Sequence, residues 1–292
     1  MDIKNKSNES IASGNNWLKE CSNNIFSQFG EDGIIEKIFS MLPDSNRWCV
    51  EFGAWDGKHL SNTHLLLSQK GWSGVLFEAS RERFGDLLRT YDGNEKIICI
   101  NKMVAFEGKN TLDRLLAITP VPEDFDLLSI DVDGNDYHIW RSLEKYRPRV
   151  VIIEFNNTIP NSVEFIQPAD PSVNQGSSLL AMCNLGKEKG YELIAVTDSN
   201  AFFADAKYFE FFQIGENSPE AMNGDQKYLT HIFQLYDGTL VAEGNLKLLW
   251  HGIPIDQKKI QVLPSSFRYF PEKKVNPLIK FAFSIYRKLF LK

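Results

Sequence analysis

The sequence has 292 residues, enough to bury a sizeable core as one large domain or as one domain with an appendage. Hydrophobic residues make up 43% of the chain and charged residues 24%, which is typical of a globular protein. The formal net charge of −6 argues against broad nucleic-acid binding, because that function needs a basic surface.

The N-terminus and the cysteines indicate a cytoplasmic protein. The first residues are rich in Asn, Ser and Lys and lack the apolar core of a signal peptide, so we expect a flexible segment over residues 1–19. No stretch of the sequence is long and apolar enough to span a bilayer. The cysteines are scattered without a CxxC pair, and we expect reduced thiols at Cys21, Cys49, Cys99 and Cys183.

Strands and helices alternate along residues 20–205. A first helix is predicted from SQFGEDG to Pro43, with Glu31 and Asp32 in its first turn. The predicted strands are WCVEFG, GVLFEA, KIICINKMVA, DLLSIDVDG, VVIIEFN and YELIAVTD, with AFFADA as a further candidate. The helices between them are LSNTHLLLSQKG, SRERFGDLLRTYDG, NTLDRLLAI, NDYHIWRSLEKY and SSLLAMCNLGKEKG. This alternation predicts an α/β fold, a doubly wound, mostly parallel sheet with helices on both faces.

The strand–helix alternation stops near residue 206. We expect residues 20–205 to form the cofactor-binding domain and residues 206–274 an extension for the acceptor or for oligomer contacts. The last segment, 275–292, reads as a basic amphipathic helix. Such a helix suits either a membrane interface or packing against the domain or a partner subunit in a homodimer, and the sequence leaves these alternatives open.

The first strand ends in an acid and is followed by an E-x-G-x-x-x-G turn. Acids at Glu51 and Asp56 would repel a pyrophosphate, whereas they suit a cationic ligand without phosphate such as S-adenosylmethionine. Glu78 ends the next strand, where an acid accepts hydrogen bonds from ribose hydroxyls. We expect the cofactor to contact the turn and neighbouring strand ends: Glu51, Gly53, Ala54, Asp56, Gly57, Ser61, Asn62, Glu78, Ala79, Asn101 and Asp131.

Five segments together resemble the FkbM-type S-adenosylmethionine-dependent methyltransferases. They are SQFGEDGII, VEFGAWDGKHLSNT, GWSGVLFEAS, DLLSIDVDGNDYHIW and RVVIIEFN, and the resemblance covers roughly residues 25–200. It implies a Rossmann-like class I methyltransferase fold and O-methylation, often of a sugar, so the expected partner is a small-molecule or glycan acceptor in surface polysaccharide or glycolipid synthesis. The family usually has D-x-E-G where this chain has Asp131, Val132 and Asp133. The resemblance also implies that Gln28 and Phe29 belong to a lid over the cofactor; otherwise they form a surface turn.

Methylation of a hydroxyl needs a route for its proton. One candidate is a general base, for which Asp131, Asp133 and His138 are placed near the end of the fourth strand. The other is a divalent cation such as Mg²⁺, with Asp131, Glu154 and Asn156 as oxygen ligands from neighbouring strand ends. Two other functions remain open, a nicotinamide-dependent oxidoreductase and a non-catalytic methyltransferase-like module.

Overall fold

The computed structural model of the chain describes residues 14–43, 45–270 and 275–290. Most of the predicted flexible N-terminal segment and the last two residues of the predicted C-terminal helix therefore lie outside the described residues. The chain forms two compact units, Met1–Asp225 and Gln226–Lys292.

The first unit has the predicted alternation of strands and helices. Its strands are β1 (Trp48–Phe52), β2 (Ser73–Phe77), β3 (Ile97–Ile100), β4 (Leu127–Ile130), β5 (Val150–Glu154), β6 (Tyr191–Val196) and β7 (Asn200–Asp205). Its α-helices are α1 (Glu31–Met41), α2 (His64–Gln69), α3 (Arg81–Thr90), α4 (Leu112–Leu116), α5 (Asp136–Ser142), α6 (Leu179–Glu188) and α7 (Pro219–Met222). Short 3₁₀ turns at Trp17–Cys21, Gly108–Asn110 and Ala206–Phe212 complete the described path of this unit.

The seven strands form one sheet in the order β3-β2-β1-β4-β5-β7-β6. All run parallel except β7, which pairs antiparallel with both β5 and β6. The doubly wound, mostly parallel sheet predicted from the sequence is thus confirmed, and AFFADA is a strand. The order switches direction between β1 and β4. In doubly wound sheets, ligands bind at such a switch point, beyond the carboxyl ends of the strands.

The central strands are covered on both faces. The β5 residues Val150 to Ile153 are fully buried, as expected for a strand that is apolar on both faces. On the surrounding helices, one face carries the apolar residues, and in α1 these are Ile34, Ile35 and Ile38. Ser80 caps α3, because its side chain accepts a hydrogen bond from the Arg83 N–H.

Residues 206–225 belong to the first unit, beyond the domain end expected at residue 205. Phe212 and Met222 are buried in its hydrophobic core. The Asn16 side chain donates to the carbonyl oxygens of Val196 and Met222, at 2.9 and 2.8 Å, and the Trp17 indole donates to the Phe212 carbonyl. Residues 16 and 17 are therefore hydrogen-bonded directly to the last part of this unit.

The second unit consists of short antiparallel pairs and one longer helix. β8 (Thr230–Gln234) pairs with β9 (Leu240–Gly244), and β10 (Lys247–Leu248) pairs with β11 (Ile253–Pro254). Helix α8 (Pro277–Phe290) confirms the predicted C-terminal helix over the residues described. An aromatic-lined pocket of about 380 Å³ lies between the tip of the β8–β9 hairpin and α8. Within the described part of the chain, no helix combines the length and hydropathy that crossing a bilayer requires.

Candidate functional site

The carboxyl ends of four neighbouring parallel strands meet at one edge of the sheet. Glu51 and Glu154 lie within the last residues of β1 and β5, while Glu78 and Asp131 directly follow β2 and β4. Ligands of doubly wound sheets bind at this edge. The structure therefore brings the predicted acids together in the region where a cofactor site is expected.

The Glu51 carboxylate binds the chain at the start of α2. Glu51 is 5% exposed, and its oxygens accept hydrogen bonds from Ser61 Oγ (2.7 Å), Thr63 Oγ1 (2.7 Å) and the Asn62 N–H (2.9 Å). Burial raises the pKa of Glu51, and these three donors oppose the rise. The Asn62 amide in turn donates to Ser129 Oγ on β4. Glu51, Ser61 and Asn62, predicted to contact a cofactor, thus form a buried network that fixes the loop after β1.

The glycine turn packs against the end of β4. Gly53 has a φ of +75°, and a Cβ at this position would overlap the Asp131 carbonyl oxygen. Gly57 also has a positive φ, and a Cβ there would lie 2.5 Å from the Leu87 side chain. The buried Ala54 donates its N–H to the Phe77 carbonyl at the end of β2. Close packing against backbone therefore requires glycine at position 53 in addition to the backbone conformation, whereas at position 57 the neighbouring atoms belong to side chains.

Trp55 lies on the outside of the turn. Its φ is +49°, a conformation that a bulky residue rarely adopts, and its side chain is 39% exposed. The Arg83 guanidinium lies 4.6 Å from the centre of the indole ring, and His59 meets the ring edge-on. An open groove of about 510 Å³ between the turn and α3 is lined by Trp55, Asp56, His59, Asp86, Arg89 and Thr90. Trp55 thus presents an aromatic surface to this groove and does not fill the core.

Glu78 joins the turn to the loop after β2. Its two carboxylate oxygens accept from the Trp55 N–H (2.9 Å) and the Ser80 N–H (2.7 Å). The Asn101 amide donates to the carbonyl oxygens of Glu78 and Ala79 and so ties the end of β3 to the same place. Asp56 accepts from the N–H groups of Lys58 and His59. These predicted cofactor residues therefore also hold each other's backbones in position.

Three carboxylates lie together where β4 and β5 end. Oxygens of Asp131, Asp133 and Glu154 lie within 4.8 Å of one another. Burial and the negative charge of neighbouring acids raise the pKa of Asp131 and of Glu154 well above the ordinary carboxyl range, although water reaches part of both groups. Asp136 accepts from the N–H groups of Val132 and Gly134, both at 2.9 Å, and this holds the loop that presents Asp131 and Asp133.

The residues predicted as a further general base and a further metal ligand make other contacts. The His138 Nε2–H donates to the Gln167 carbonyl oxygen at 2.8 Å, and its ring packs between Phe106 and Tyr137. The Asn156 oxygen accepts from the N–H and the hydroxyl of Thr158, while its amide donates to the Gln175 carbonyl. The structure therefore places Asp133, rather than Asn156, beside the two predicted metal ligands Asp131 and Glu154. His138 holds the loop that contains Gln167.

The segment before α1 is held at the same edge by two buried acids. One oxygen of Asp32 accepts from the N–H groups of Ile25, Phe26 and Ser27, at 2.6 to 2.9 Å, and from the Ser27 hydroxyl. Glu31 accepts from the Phe29 N–H and, across the fold, from Thr197 Oγ1 (2.9 Å) and Asn200 Nδ2 (3.0 Å). The sequence assigns these acids to the first turn of a helix. The sequence does not show that they also bind the preceding segment, because those hydrogen bonds depend on the fold. The feature that could have indicated it is the pair of adjacent acids between two glycines in SQFGEDG.

Solved structures with a similar arrangement of strands and helices include S-adenosylmethionine-dependent methyltransferases. One is a SAM-dependent methyltransferase from Aquifex aeolicus, with 9% identity and a TM-score of 0.38 over 64% of this chain and 95% of that one. Another is the N-terminal domain of EvdMO1 in the presence of SAH and D-fucose, with 12% identity and a TM-score of 0.40 over 65% of this chain and 92% of that one. A third is the O-methyltransferase NcsB1 from neocarzinostatin biosynthesis in complex with SAH and 1,4-dihydroxy-2-naphthoic acid. It has 13% identity and a TM-score of 0.34 over 54% of this chain and 49% of that one.

No family model matches the sequence, and no curated protein matches it. At these identities and TM-scores the solved structures assign no role to any residue of this chain, so the role of each residue rests on its own contacts.

Proposed function

We propose that this chain is an S-adenosylmethionine-dependent O-methyltransferase of the FkbM type that acts on a sugar hydroxyl in surface polysaccharide or glycolipid synthesis. The observation that carries the proposal is the position of Glu51. In dinucleotide-binding proteins the helix after the glycine turn offers its N–H groups to a pyrophosphate. Here Glu51 already occupies the donors of Ser61, Asn62 and Thr63 at the start of α2. A cofactor without phosphate is therefore favoured at this turn.

The charge of the edge supports the same cofactor. Asp131, Asp133 and Glu154 cluster at the ends of β4 and β5, and the Gly53 turn packs directly on the Asp131 carbonyl. A nearby cation favours ionisation of these acids, so the sulfonium and the ammonium group of S-adenosylmethionine suit the cluster, whereas the phosphates of a nicotinamide dinucleotide would add to its repulsion. The oxidoreductase alternative has no comparable support among the described residues.

The proposed reaction forms a bond between the acceptor oxygen and the methyl carbon while the bond between carbon and sulfur breaks. The sulfur keeps the bonding electron pair and becomes a neutral thioether, and the hydroxyl proton leaves. Asp131 is the proposed proton acceptor, because its carboxylate lies in the acid cluster where β4 and β5 end and is ionised once a cation occupies the site. Alignment of oxygen, methyl and sulfur supplies much of the acceleration.

A divalent cation is the alternative means of activating the hydroxyl. Asp131, Asp133 and Glu154 offer three oxygen ligands, which fits a hard cation such as Mg²⁺, and neutralising their mutual repulsion would favour its binding. When bound, the cation would lower the pKa of a coordinated hydroxyl. In either case these acids orient the acceptor at the edge of the sheet.

Calorimetric titration with S-adenosylhomocysteine, with and without Mg²⁺ and beside NAD, tests the proposal. We expect S-adenosylhomocysteine to bind and Asp131→Asn to weaken binding about tenfold or more, since a charge-assisted contact is typically worth more than about 1.4 kcal/mol. Asp124→Asn is the matched control, because Asp124 is exposed and precedes β4 at the opposite edge of the sheet.

The outcomes separate the three candidate functions. Binding of NAD without S-adenosylhomocysteine would indicate the oxidoreductase. Binding of neither ligand would indicate a non-catalytic module. Binding of S-adenosylhomocysteine followed by methyl transfer to sugar acceptors, measured with labelled S-adenosylmethionine, would establish the enzyme, and a loss of turnover on chelation would identify the cation as part of the reaction.

A further inference from the structure

We propose that the second unit docks on an anionic membrane surface through helix α8. This inference does not depend on the methyltransferase proposal. It begins with charge. Residues 226–292 contain 11 Lys and Arg against 4 Asp and Glu, a net charge of +7, whereas residues 1–225 contain 21 against 34, a net charge of −13. The positive charge of the chain is thus concentrated in the unit that contains α8.

One side of α8 packs within its own unit. The Phe267 ring lies 5.4 Å from the Phe283 ring and 5.2 Å from the Tyr286 ring, and Tyr269 contacts Phe283 from the same segment. Phe283 and Tyr286 are spaced by three residues and therefore share a face of the helix. These contacts set the rotation of α8 about its axis, and with it the direction of the remaining apolar side chains.

A second apolar stripe of α8 is exposed. Leu278, Phe281, Ile285 and Leu289 follow one another at intervals of three and four residues and are 74%, 67%, 43% and 67% exposed. The stripe runs for about 16 Å at 1.5 Å per residue. Large apolar side chains in a continuous row are costly to leave in water, so this face is expected to have an occupant.

The cations of α8 favour a lipid surface as that occupant. Lys280, Arg287 and Lys288 lie on the remaining side of the helix by their spacing, and all three are exposed. A helix with one apolar stripe and one basic face lies in the membrane interface, with its apolar side chains among the acyl chains and its cations at the anionic headgroups. A second copy would bring two units of net charge +7 together, and lysine is depleted in protein interfaces.

Flotation of the full chain with vesicles tests the proposal. We expect the protein to float with phosphatidylcholine vesicles that contain phosphatidylglycerol and not with phosphatidylcholine alone. The double variant Phe281→Glu with Leu289→Glu should bind at least tenfold more weakly, because it places two carboxylates on the apolar stripe that would enter the acyl chains. Leu88→Glu with Ile118→Glu is the matched control, because both residues are exposed apolar side chains of the first unit.

A second pair of variants tests the charge. A triple variant of α8, Lys280→Gln with Arg287→Gln and Lys288→Gln, should lose the preference for phosphatidylglycerol. The control is a triple variant that replaces the exposed first-unit residues Lys109, Arg114 and Lys187 with Gln, and it should keep that preference. Absence of flotation by the wild-type chain would overturn the proposal, as would unchanged flotation of the Phe281 and Leu289 variant. A wild-type oligomer in light scattering that this variant dissociates would also overturn it, because a second copy would then cover the stripe.

Discussion

Gly53 lies where the backbone of the first turn passes the carbonyl oxygen of Asp131. Gly93 provides a matched position, because its φ of +74° nearly equals the +75° of Gly53 while a Cβ there would meet open space. We expect Gly93→Ala to cost about 1–2 kcal/mol, the price of the left-handed conformation alone. Gly53→Ala should cost about 1–3 kcal/mol more and weaken S-adenosylhomocysteine binding, since the turn must move.

Urea denaturation and calorimetric titration of both glycine variants measure these effects. Equal losses of stability at the two positions would show that conformation alone accounts for Gly53. Unchanged ligand affinity in Gly53→Ala would show that the turn does not contact the cofactor.

The clustered carboxylates give stability a pH dependence of definite sign. Burial and neighbouring acids raise the pKa of Glu154 in the folded chain, so the folded state holds this proton more tightly than the unfolded state does. The resulting stabilisation is present below the unfolded pKa, about 4.3, and is lost as the pH rises toward the raised value. We expect Glu154→Gln to stabilise the chain at about pH 8 but much less at about pH 5.

Thermal unfolding in the presence of a chelator checks this prediction. Water reaches part of the cluster and weakens the repulsion, so the expected gain is about 1 kcal/mol, or about 1–3 °C for a chain of this size. Glu95→Gln, at an exposed loop position, is the control and should leave the unfolding temperature unchanged at both pH values. A loss of stability in Glu154→Gln at the higher pH would contradict the sign.

The sequence does not reveal the hydrogen-bond partners of the individual site residues. The strand ends located Glu51, Glu78, Asp131 and Glu154 at one edge, because parallel strands align their carboxyl ends. The sequence could not show that Glu51 turns toward Ser61, Asn62 and Thr63, since those hydrogen bonds depend on the conformation of the loop. The same limit explains why Asn156 was predicted as a metal ligand while its oxygen bonds to Thr158.

At the scale of elements, α1 begins with two acids that anchor the preceding segment. Asp32 accepts four hydrogen bonds from residues 25–27 and is 1% exposed, whereas Glu36 on the same helix pairs with Lys70 at the surface. We expect Asp32→Asn to lower the free energy of unfolding by about 1–3 kcal/mol, because all four hydrogen bonds go to one oxygen of Asp32 and a neutral amide oxygen would replace that charged acceptor. Glu36→Gln should cost less than about 0.5 kcal/mol.

Chemical denaturation of the two variants provides the comparison, and hydrogen exchange at residues 25–29 provides a local readout. Similar stability of both variants would contradict a structural role for the buried acid. Unchanged protection of residues 25–29 in Asp32→Asn would show that Glu31 alone holds the segment.

The elements themselves were largely predictable, because their apolar periodicity is strong. The start of α2 shows where prediction fell short. The segment LSNTHLLLSQKG reads as one helix, yet the observed helix begins at His64, because Ser61 to Thr63 leave the helical path to bond Glu51. Its end was predicted correctly, since Gly71 follows the cap residue with a φ of +70°.

At the scale of the whole molecule, the first unit closes at Asp225 and not at residue 205. Residues 206–225 contribute Phe212 and Met222 to its core, and the sequence could not show this because the segment lacks a regular period. We expect a chain of residues 1–225 to fold and to bind S-adenosylhomocysteine within about twofold of the full chain. A chain of residues 1–205 should lose several kcal/mol of stability, since burying one large apolar side chain contributes about 1.5–3 kcal/mol.

Circular dichroism melting and calorimetry of the two truncations test the boundary. Equal stability of both would place the end of the unit at residue 205. Loss of ligand binding in the 1–225 chain would show that the second unit takes part in the cofactor site.

The hydrogen bonds that close the first unit join residues 16–31 to the last strands and loops of the same unit. Asn16 bonds to Val196 and Met222, and Glu31 bonds to Thr197 and Asn200. A ribosome produces the N-terminus first, so α1 waits for these partners until most of the unit has been synthesised. Long-range contacts of this kind slow folding and leave strand edges exposed in the nascent chain. The carboxyl edge of the sheet is consequently among the last regions to be completed, after residues 191–222 have emerged.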